Sequence, residues 1–193
     1  NEKSMGPSSA RNIGVRKAEG KIIVFVDAHC IVEDQEWIQK FLQFFKDPQV
    51  GAVAGYFKPE PNIKPALTFK SLEPQQRLVK SANAAFRKSV LEQVGGFDKG
   101  TEWGGDAALT YKIQKSGWKI IHTRDIAVTH AEKLWSIRRA FTYGTCYFPL
   151  LRRYPHETLT RSRPIAIGLF LTLGIILDLS TGCQSSPSHS CSY

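Results

Sequence analysis

Ile22-Ile23-Val24-Phe25-Val26-Asp27-Ala28-His29 changes character abruptly at its sixth residue. Five apolar residues in a row, four of them β-branched, suit a strand buried on both faces of a parallel sheet. Asp27 then stands at the carboxyl end of that strand, where α/β sheets collect their ligands. In extended backbone, residues two apart point to the same side, so the Asp27 carboxylate and the His29 imidazole are expected to face one position.

Working outward, Asp34 is positioned to cap a helix in which Trp37, Ile38, Phe41, Leu42 and Phe45 recur at helical spacing on one apolar face, and Pro48 ends it. Trp37 and the phenylalanines beside it read as core. Val50 to Phe57 is the next expected strand, and Lys58 to Pro65, with three prolines, is a loop or edge segment. Ser81 to Phe86 reads as a short strand. Ser89-Val90-Leu91-Glu92 has the form of a capping box, opening a brief helix that Gly95-Gly96 stops. A further helix is expected from about Asp106 to Ser116, with Leu109 and Ile113 inward and Gly117 as terminator, followed by a strand from Trp118 to His122. Strands alternating with helices predict an α/β domain with a mixed, largely parallel sheet flanked by helices.

The chain has 193 residues, 42% of them hydrophobic, enough for one substantial core. Lys+Arg 26 against Asp+Glu 17 gives a formal charge of +9, which favours an anionic partner. Neither a zinc-finger spacing nor an RNA-binding signature nor a basic heptad region is present, so nucleic acid is not the expected partner. Cys30, Cys146, Cys183 and Cys191 form no C-x-x-C pair and no zinc-closing spacing, and reduced thiols are the default.

Asp27 offers a hard oxygen and His29 an imidazole nitrogen, a pairing suited to Mn2+ or Mg2+ serving a diphosphate. Such triplets also arise by accident, with the aspartate capping a turn and the histidine on the surface. Around the triplet lie other short motifs in a fixed order. Gly6-Pro7-Ser8-Ser9-Ala10-Arg11-Asn12 and Ala18-Glu19-Gly20 precede it. Asn83 to Arg87, Val94-Gly95-Gly96-Phe97-Asp98, Trp103-Gly104-Gly105-Asp106, Gly117 and Val128-Thr129-His130 follow it.

This order resembles the family-2 glycosyltransferases, whose nucleotide-binding half carries G-x-x-x-A-R-N, then A-x-G, then a strand ending in D-x-D. His29 stands where that family usually has its second Asp. The D-x-H and W-G-G-D features are similar to the polypeptide N-acetylgalactosaminyltransferases, so the resemblance implies that metal binding survives the change. It further implies a GT-A-like, Rossmann-like fold and a metal-dependent transfer of sugar from a nucleotide-diphosphate sugar to a hydroxyl acceptor. That acceptor would be a sugar, a lipid-linked molecule or a protein.

Residue by residue, the resemblance implies that Asp106 is the general base taking the acceptor proton, a role that also suits the chemistry of a poorly nucleophilic hydroxyl. Asp106 could equally cap the helix it opens, and both can hold at once. Only one acid of the family's usual acidic pair remains, because Gly105 precedes it. Arg11 is implied to face the donor nucleotide, where a guanidinium pairs with phosphate oxygens. His130 is implied to be a third metal ligand beside Asp27 and His29, or a diphosphate contact. Trp103 with Gly104 and Gly105 would line the acceptor pocket, an aromatic face stacking on a sugar ring; a buried core tryptophan beside a turn is the other reading.

The family-2 likeness implies inversion, while D-x-H and W-G-G-D look like a retaining family; inversion is the expectation, on the A-R-N and G-G-F-D segments. No Q-x-x-R-W motif occurs, which favours single-sugar transfer over polymer synthesis. The resemblance covers about residues 5 to 150. The families begin with a further strand that cradles the nucleobase, which residues 1–193 are expected to lack.

On this reading 1–131 is a truncated GT-A-like domain, 132–163 a basic aromatic helical region, 164–182 a marginal membrane segment, and 183–193 a disordered Ser-rich tail. Seven basic residues from Lys133 to Arg163 stand against one acid, Glu157, so association with a cytoplasmic membrane face is expected. Two rivals are a metal-dependent hydrolase using Asp27, His29 and His130, and a non-catalytic membrane-attached binding module derived from a transferase.

Overall fold

A computed structural model describes residues 6–58, 78–98, 104–130 and 151–155. Among the described residues nine elements run in the order α1 (Gly6–Lys17), β1 (Ile22–Val26), β2 (Cys30–Ile31), α2 (Trp37–Phe44), β3 (Val50–Lys58), β4 (Asn83–Arg87), α3 (Lys88–Gln93), α4 (Gly105–Lys115) and β5 (Lys119–His130). The strands form one five-stranded sheet in the order β1-β4-β3-β5-β2.

The architecture is α/β and the sheet is mixed, as expected, but it is mostly antiparallel rather than largely parallel. Among the described strands only β3 and β5 pair in parallel; β1 with β4, β3 with β4, and β2 with β5 are antiparallel. The cause lies in β4. Strands β1, β3 and β5 all point the same way, as the strand-helix alternation predicts, but β4 inserts between β1 and β3 in the opposite sense. β1 therefore lies at one end of the described sheet, with Ile23 and Phe25 packed into the core on one face and Ile22 and Val24, partly buried, against the core on the other.

Two cores form on the two faces. Val15 of α1, Leu91 of α3 and Leu109 and Ile113 of α4 pack with Ala84 and Phe86 of β4 on one side. Trp37, Phe41 and Phe45 pack with Ala85, Val53 and Ile126 on the other. Alternation along β4 thus feeds both layers, and alanines at its centre let the helices approach closely. The core reading of Trp37 and its phenylalanines holds, whereas Ile38 and Leu42 lie half exposed on the outer side of α2, at 50% and 45%.

Helix ends differ from their expected chemistry. Asp34 accepts from the Glu36 amide at 2.9 Å and pairs with Lys40, forming a turn before the helix, while Glu36 holds the N-cap position with no side-chain cap. The Ser89/Glu92 capping box does not form: the N-cap is Arg87, two residues before Ser89, and Glu92 faces Lys88 at 3.7 Å. Gly95 and Gly96 do stop α3, at φ 74° and 65°, and Gly117 follows α4 at φ 80°.

β5 is longer than expected. It continues from the anticipated 118–122 stretch to His130, with irregular register against β3 between Ala54 and Tyr56, so that Val128-Thr129-His130 is the end of the same strand. The expected 132–163, 164–182 and 183–193 regions fall outside the described residues apart from 151–155. Among the described residues no helix is long and apolar enough to cross a membrane.

Candidate active site

The turn after β1 sets the geometry. The Cys30 amide donates to the Asp27 carbonyl at 2.9 Å, so residues 27–30 form a turn instead of continuing the strand. The same-side argument for Asp27 and His29 therefore fails, since the two-residue period belongs to extended backbone. Asp27 turns toward α1, where its Oδ1 accepts from the Arg11 guanidinium at 3.0 Å. His29 turns the other way, and its Nε2 lies 2.8 Å from Nε2 of His130.

His130 reaches that point because β2 pairs it directly with Cys30 across the antiparallel ladder. Directly opposed residues share a face, so the Cys30 thiol joins the two imidazoles. Ligand atoms of His29, Cys30 and His130 all lie within 4.8 Å of one another. Phe57 backs the His130 ring edge-on at 5.4 Å. Of the expected Asp27, His29 and His130, the two histidines meet, while the Asp27 carboxylate pairs with Arg11. Burial, then the neighbouring Asp27 charge, pushes the Cys30 thiol up from its ordinary value.

Asp106 sits in the first turn of α4, not at its cap; Gly104 occupies the N-cap in the left-handed region at φ 82°, which glycine adopts freely. Its Oδ1 is buried without a hydrogen-bond partner, and so is Ser81 Oγ. Burial raises the Asp106 pKa; contact with Ser81 and the Arg11 charge oppose the rise, and Asp27 adds to it. Arg11, Asp27 and Asp106 therefore share one electrostatic neighbourhood. Arg11 also lies over the Phe97 ring, 5.7 Å from its centroid. Gly104 and Gly105 immediately precede Asp106, and Trp103 lies outside the described residues.

Residues to which the sequence alone assigns no role support this arrangement. Asn12 bonds the Phe97 backbone, Asn83 bonds three groups at the α2/β3/β5 junction, and Asp98 receives Lys112 at 3.0 Å, Arg153 at 3.4 Å and the Tyr154 hydroxyl at 3.4 Å. A separate cavity of about 360 Å³ is lined by Gln114, Trp118, Ile120 and His122. It lies at the start of β5, whereas His130 is at that strand's end. Burial lowers the His122 pKa, but among the described residues no second catalytic group lines the cavity with it.

Residues 1–95 match the family model described as glycosyl transferase family 2. The pre-mycofactocin glycosyltransferase of Mycobacterium tuberculosis is 28% identical over 93% of this chain and 41% of its own length. The O-antigen chain rhamnosyltransferase RfbN of Salmonella typhimurium is 26% identical over 67% of this chain and 47% of its own. This chain therefore spans less than half the length of either relative. Among solved structures, a mannosyltransferase from Pyrobaculum calidifontis in complex with GDP-Man and Mn2+ superposes with a TM-score of 0.65 at 21% identity, covering 97% of this chain and 58% of that one. GalNAc-T7 with UDP, GalNAc and Mn2+ gives 0.54 at 17% identity, covering 94% and 45%. Taken with the mixed sheet and the ordered motifs on it, these matches identify residues 1–95 as family-2 glycosyltransferase sequence and give the described residues the GT-A fold.

Proposed function

We propose that the chain is the catalytic part of an enzyme that moves a single sugar from a nucleotide-diphosphate sugar to an acceptor hydroxyl, with inversion. The observation that carries this is the Asp106 carboxylate: buried, with an unpartnered oxygen, at the start of a helix and beside Arg11 and Asp27. A raised pKa makes a carboxylate a stronger base once it is ionised, and the α4 N-terminus helps it ionise. Asp106 then accepts the proton of the attacking hydroxyl.

Arg11 is the donor-side residue in this reading. It pairs now with Asp27 and would turn its remaining N–H groups to the diphosphate. His29 and His130 hold a divalent cation, which when bound neutralises charge on the departing diphosphate. Mn2+ or Mg2+ is the reading supported by the Mn2+ named in the solved neighbours. Asp27 would join that site on exchanging Arg11 for the cation. Gly104 and Gly105, with Trp103, border the acceptor. A membrane-proximal acceptor met at the cytoplasmic face agrees with the basic 133–163 stretch.

Isothermal titration of the full-length protein with UDP- and GDP-sugars, with and without Mn2+, tests the reading. Metal-dependent donor binding with transfer to an acceptor is expected; release of free sugar with no requirement for acceptor would replace it with a hydrolase.

A further inference from the structure

We propose that the cavity between the end of α4 and the start of β5 is a second binding site, which holds a neutral sugar ring against Trp118, Gln114 and His122. The inference deepens the transferase reading and rests on it for one point, that the acceptor is itself a carbohydrate. This cavity then holds a part of the acceptor remote from the hydroxyl that reacts.

The backbone builds the cavity. Its volume is about 360 Å³ and Gln114, Gly117, Trp118, Ile120 and His122 line it. That size lies within the range of small-ligand sites, and so does the mixture of apolar wall and a few polar groups. Ile120 and His122 are two apart in β5, opposite Ala52 and Ala54 of β3, and so share one face. Gln114 follows Asp106 by eight residues in α4, a rise of about 12 Å. The cavity is thus separate from the transfer site but on the same helix, an arrangement suited to a glycan rather than to a single sugar.

Trp118 is held in place. Its Nε1 donates to Gln93 Oε1 at 2.9 Å, and Gly51 leaves room for the side chain on β3, since a Cβ there would stand 2.8 Å from Trp118 Cβ. An indole fixed in this way offers a flat apolar surface and loses little freedom when a ring settles on it.

His122 and Gln114 supply the polar side. Among the described residues the His122 ring nitrogens have no hydrogen-bond partner, and burial lowers the pKa, so the ring is neutral near neutral pH, with one nitrogen to donate and one to accept. The Gln114 amide offers both functions too. Among the described residues no Lys, Arg, Asp or Glu lines the cavity. A diphosphate would find no cation there, so a nucleotide is the wrong ligand. An uncharged ring with an apolar face and hydroxyls around its edge matches the lining, and a hexopyranose has that form.

Heteronuclear NMR of the indole N–H groups of the full chain tests this. The chain has four tryptophans, and Trp118→Phe identifies the signal that belongs to Trp118. Methyl glucoside, methyl mannoside, methyl rhamnoside and maltotriose are added without metal or nucleotide. At least one is expected to shift the Trp118 signal with a Kd on the order of 1–10 mM and to leave the buried Trp37 signal in place. His122→Ala should weaken that binding about 3–10-fold, as loss of a neutral hydrogen bond does. Trp118→Ala, followed through the His122 ring signals, should weaken it at least about 3-fold.

No shift of the Trp118 signal by any of the four sugars at about 50 mM, equal affinity in wild type and His122→Ala, or a stronger response to uridine or UDP overturns the proposal. Transfer from UDP- and GDP-sugars with Mn2+, measured on the same samples, separates the two ideas. If transfer occurs and the cavity takes no sugar, the transferase reading stands and this one falls. If sugars bind at Trp118 and no donor is used, the transferase reading falls and a sugar-binding site remains.

Discussion

Asn12 mimics a strand partner for Phe97: its Nδ2 donates to the Phe97 carbonyl at 2.8 Å and its Oδ1 accepts from the Phe97 amide at 2.9 Å. Two motifs 85 positions apart, the A-R-N segment of α1 and the G-G-F-D turn after α3, are thereby joined. The fit is close. A Cβ on Gly96 would stand 2.5 Å from Asn12 Oδ1, and the residue already has φ 65°. The same clasp holds Phe97 beneath Arg11, and so fixes the guanidinium that faces Asp27.

Asn12→Ala should therefore lower stability by about 1–3 kcal/mol for the buried amide and carbonyl it abandons. Gly96→Ala should lower it through both backbone strain and collision with Asn12. Urea unfolding of each single variant and of the pair would measure this. Because both substitutions break one clasp, the double variant should fall short of the sum of the singles.

Asp106→Asn separates catalysis from stability. Loss of a general base should lower turnover about 10²-fold or more, with donor affinity unchanged. The native pKa is raised, chiefly by burial, so folding favours the protonated acid. Stability from this group is full below the ordinary carboxylate range and is lost as pH rises through the raised value. A neutral amide in its place would carry no such loss. The variant should accordingly gain on wild type near neutral pH, with the advantage vanishing as pH falls to about 4. The wild-type rate should fall on acidification at a higher pH than an ordinary carboxylate would give. Thermal melts and pH-rate profiles would check both.

Asp98 is the point where the 151–155 segment meets the rest of the molecule. It is 8% exposed, and receives Lys112 on one oxygen and Arg153 and Tyr154 on the other, while the Tyr154 ring packs on Tyr111 with centroids 5.8 Å apart. Asp98→Ala should lower stability by about 2 kcal/mol, because the half-buried Lys112 loses its charged partner. It should also free the peptide bonds after Arg152 and Arg153. Limited trypsin digestion should cut there earlier in the variant than in wild type, and equal cleavage rates would mean that Asp98 does not hold the segment.

The sequence discloses those elements whose signal is local and apolar. β1, the buried face of α2, β3 and the inward Leu109 and Ile113 follow from periodicity, and the glycine stops follow from backbone freedom. α1 is hidden because the side it buries is Ser8, Ser9, Asn12 and Val15, a helical spacing written mostly in small polar residues. The antiparallel insertion of β4 is a long-range pairing with no local mark. At the site, motif order points to the histidine pair. Nothing in that order points to the turn at 27–30, because one hydrogen bond from the Cys30 amide to the Asp27 carbonyl reverses which residues share a side. Cys30 becomes visible only once its cross-strand partner is known to be His130.

Asn83 carries a prediction whose sign depends on pH. Its Oδ1 accepts from Trp37 Nε1 at 3.0 Å, and its Nδ2 donates to the carbonyls of Tyr56 at 3.0 Å and Ile126 at 3.1 Å. One amide thus ties α2, β3 and β5 together with both its N–H groups in use, and Gly55 leaves room for it, since a Cβ there would lie 2.3 Å from Nδ2. Asn83→Ala abandons three buried groups and should cost about 3 kcal/mol or more. Asn83→Asp keeps the acceptor for Trp37 but turns a carboxylate toward two carbonyl oxygens. Repulsion and burial should raise its pKa, so the penalty is full near neutral pH and is relieved as pH falls through that value and the acid regains a donor. At neutral pH Asn83→Asp should be the less stable of the two, and at acidic pH the order should reverse. Urea titrations of both variants across that range would decide it: a fixed order at every pH would mean that the two carbonyls do not depend on the amide donor.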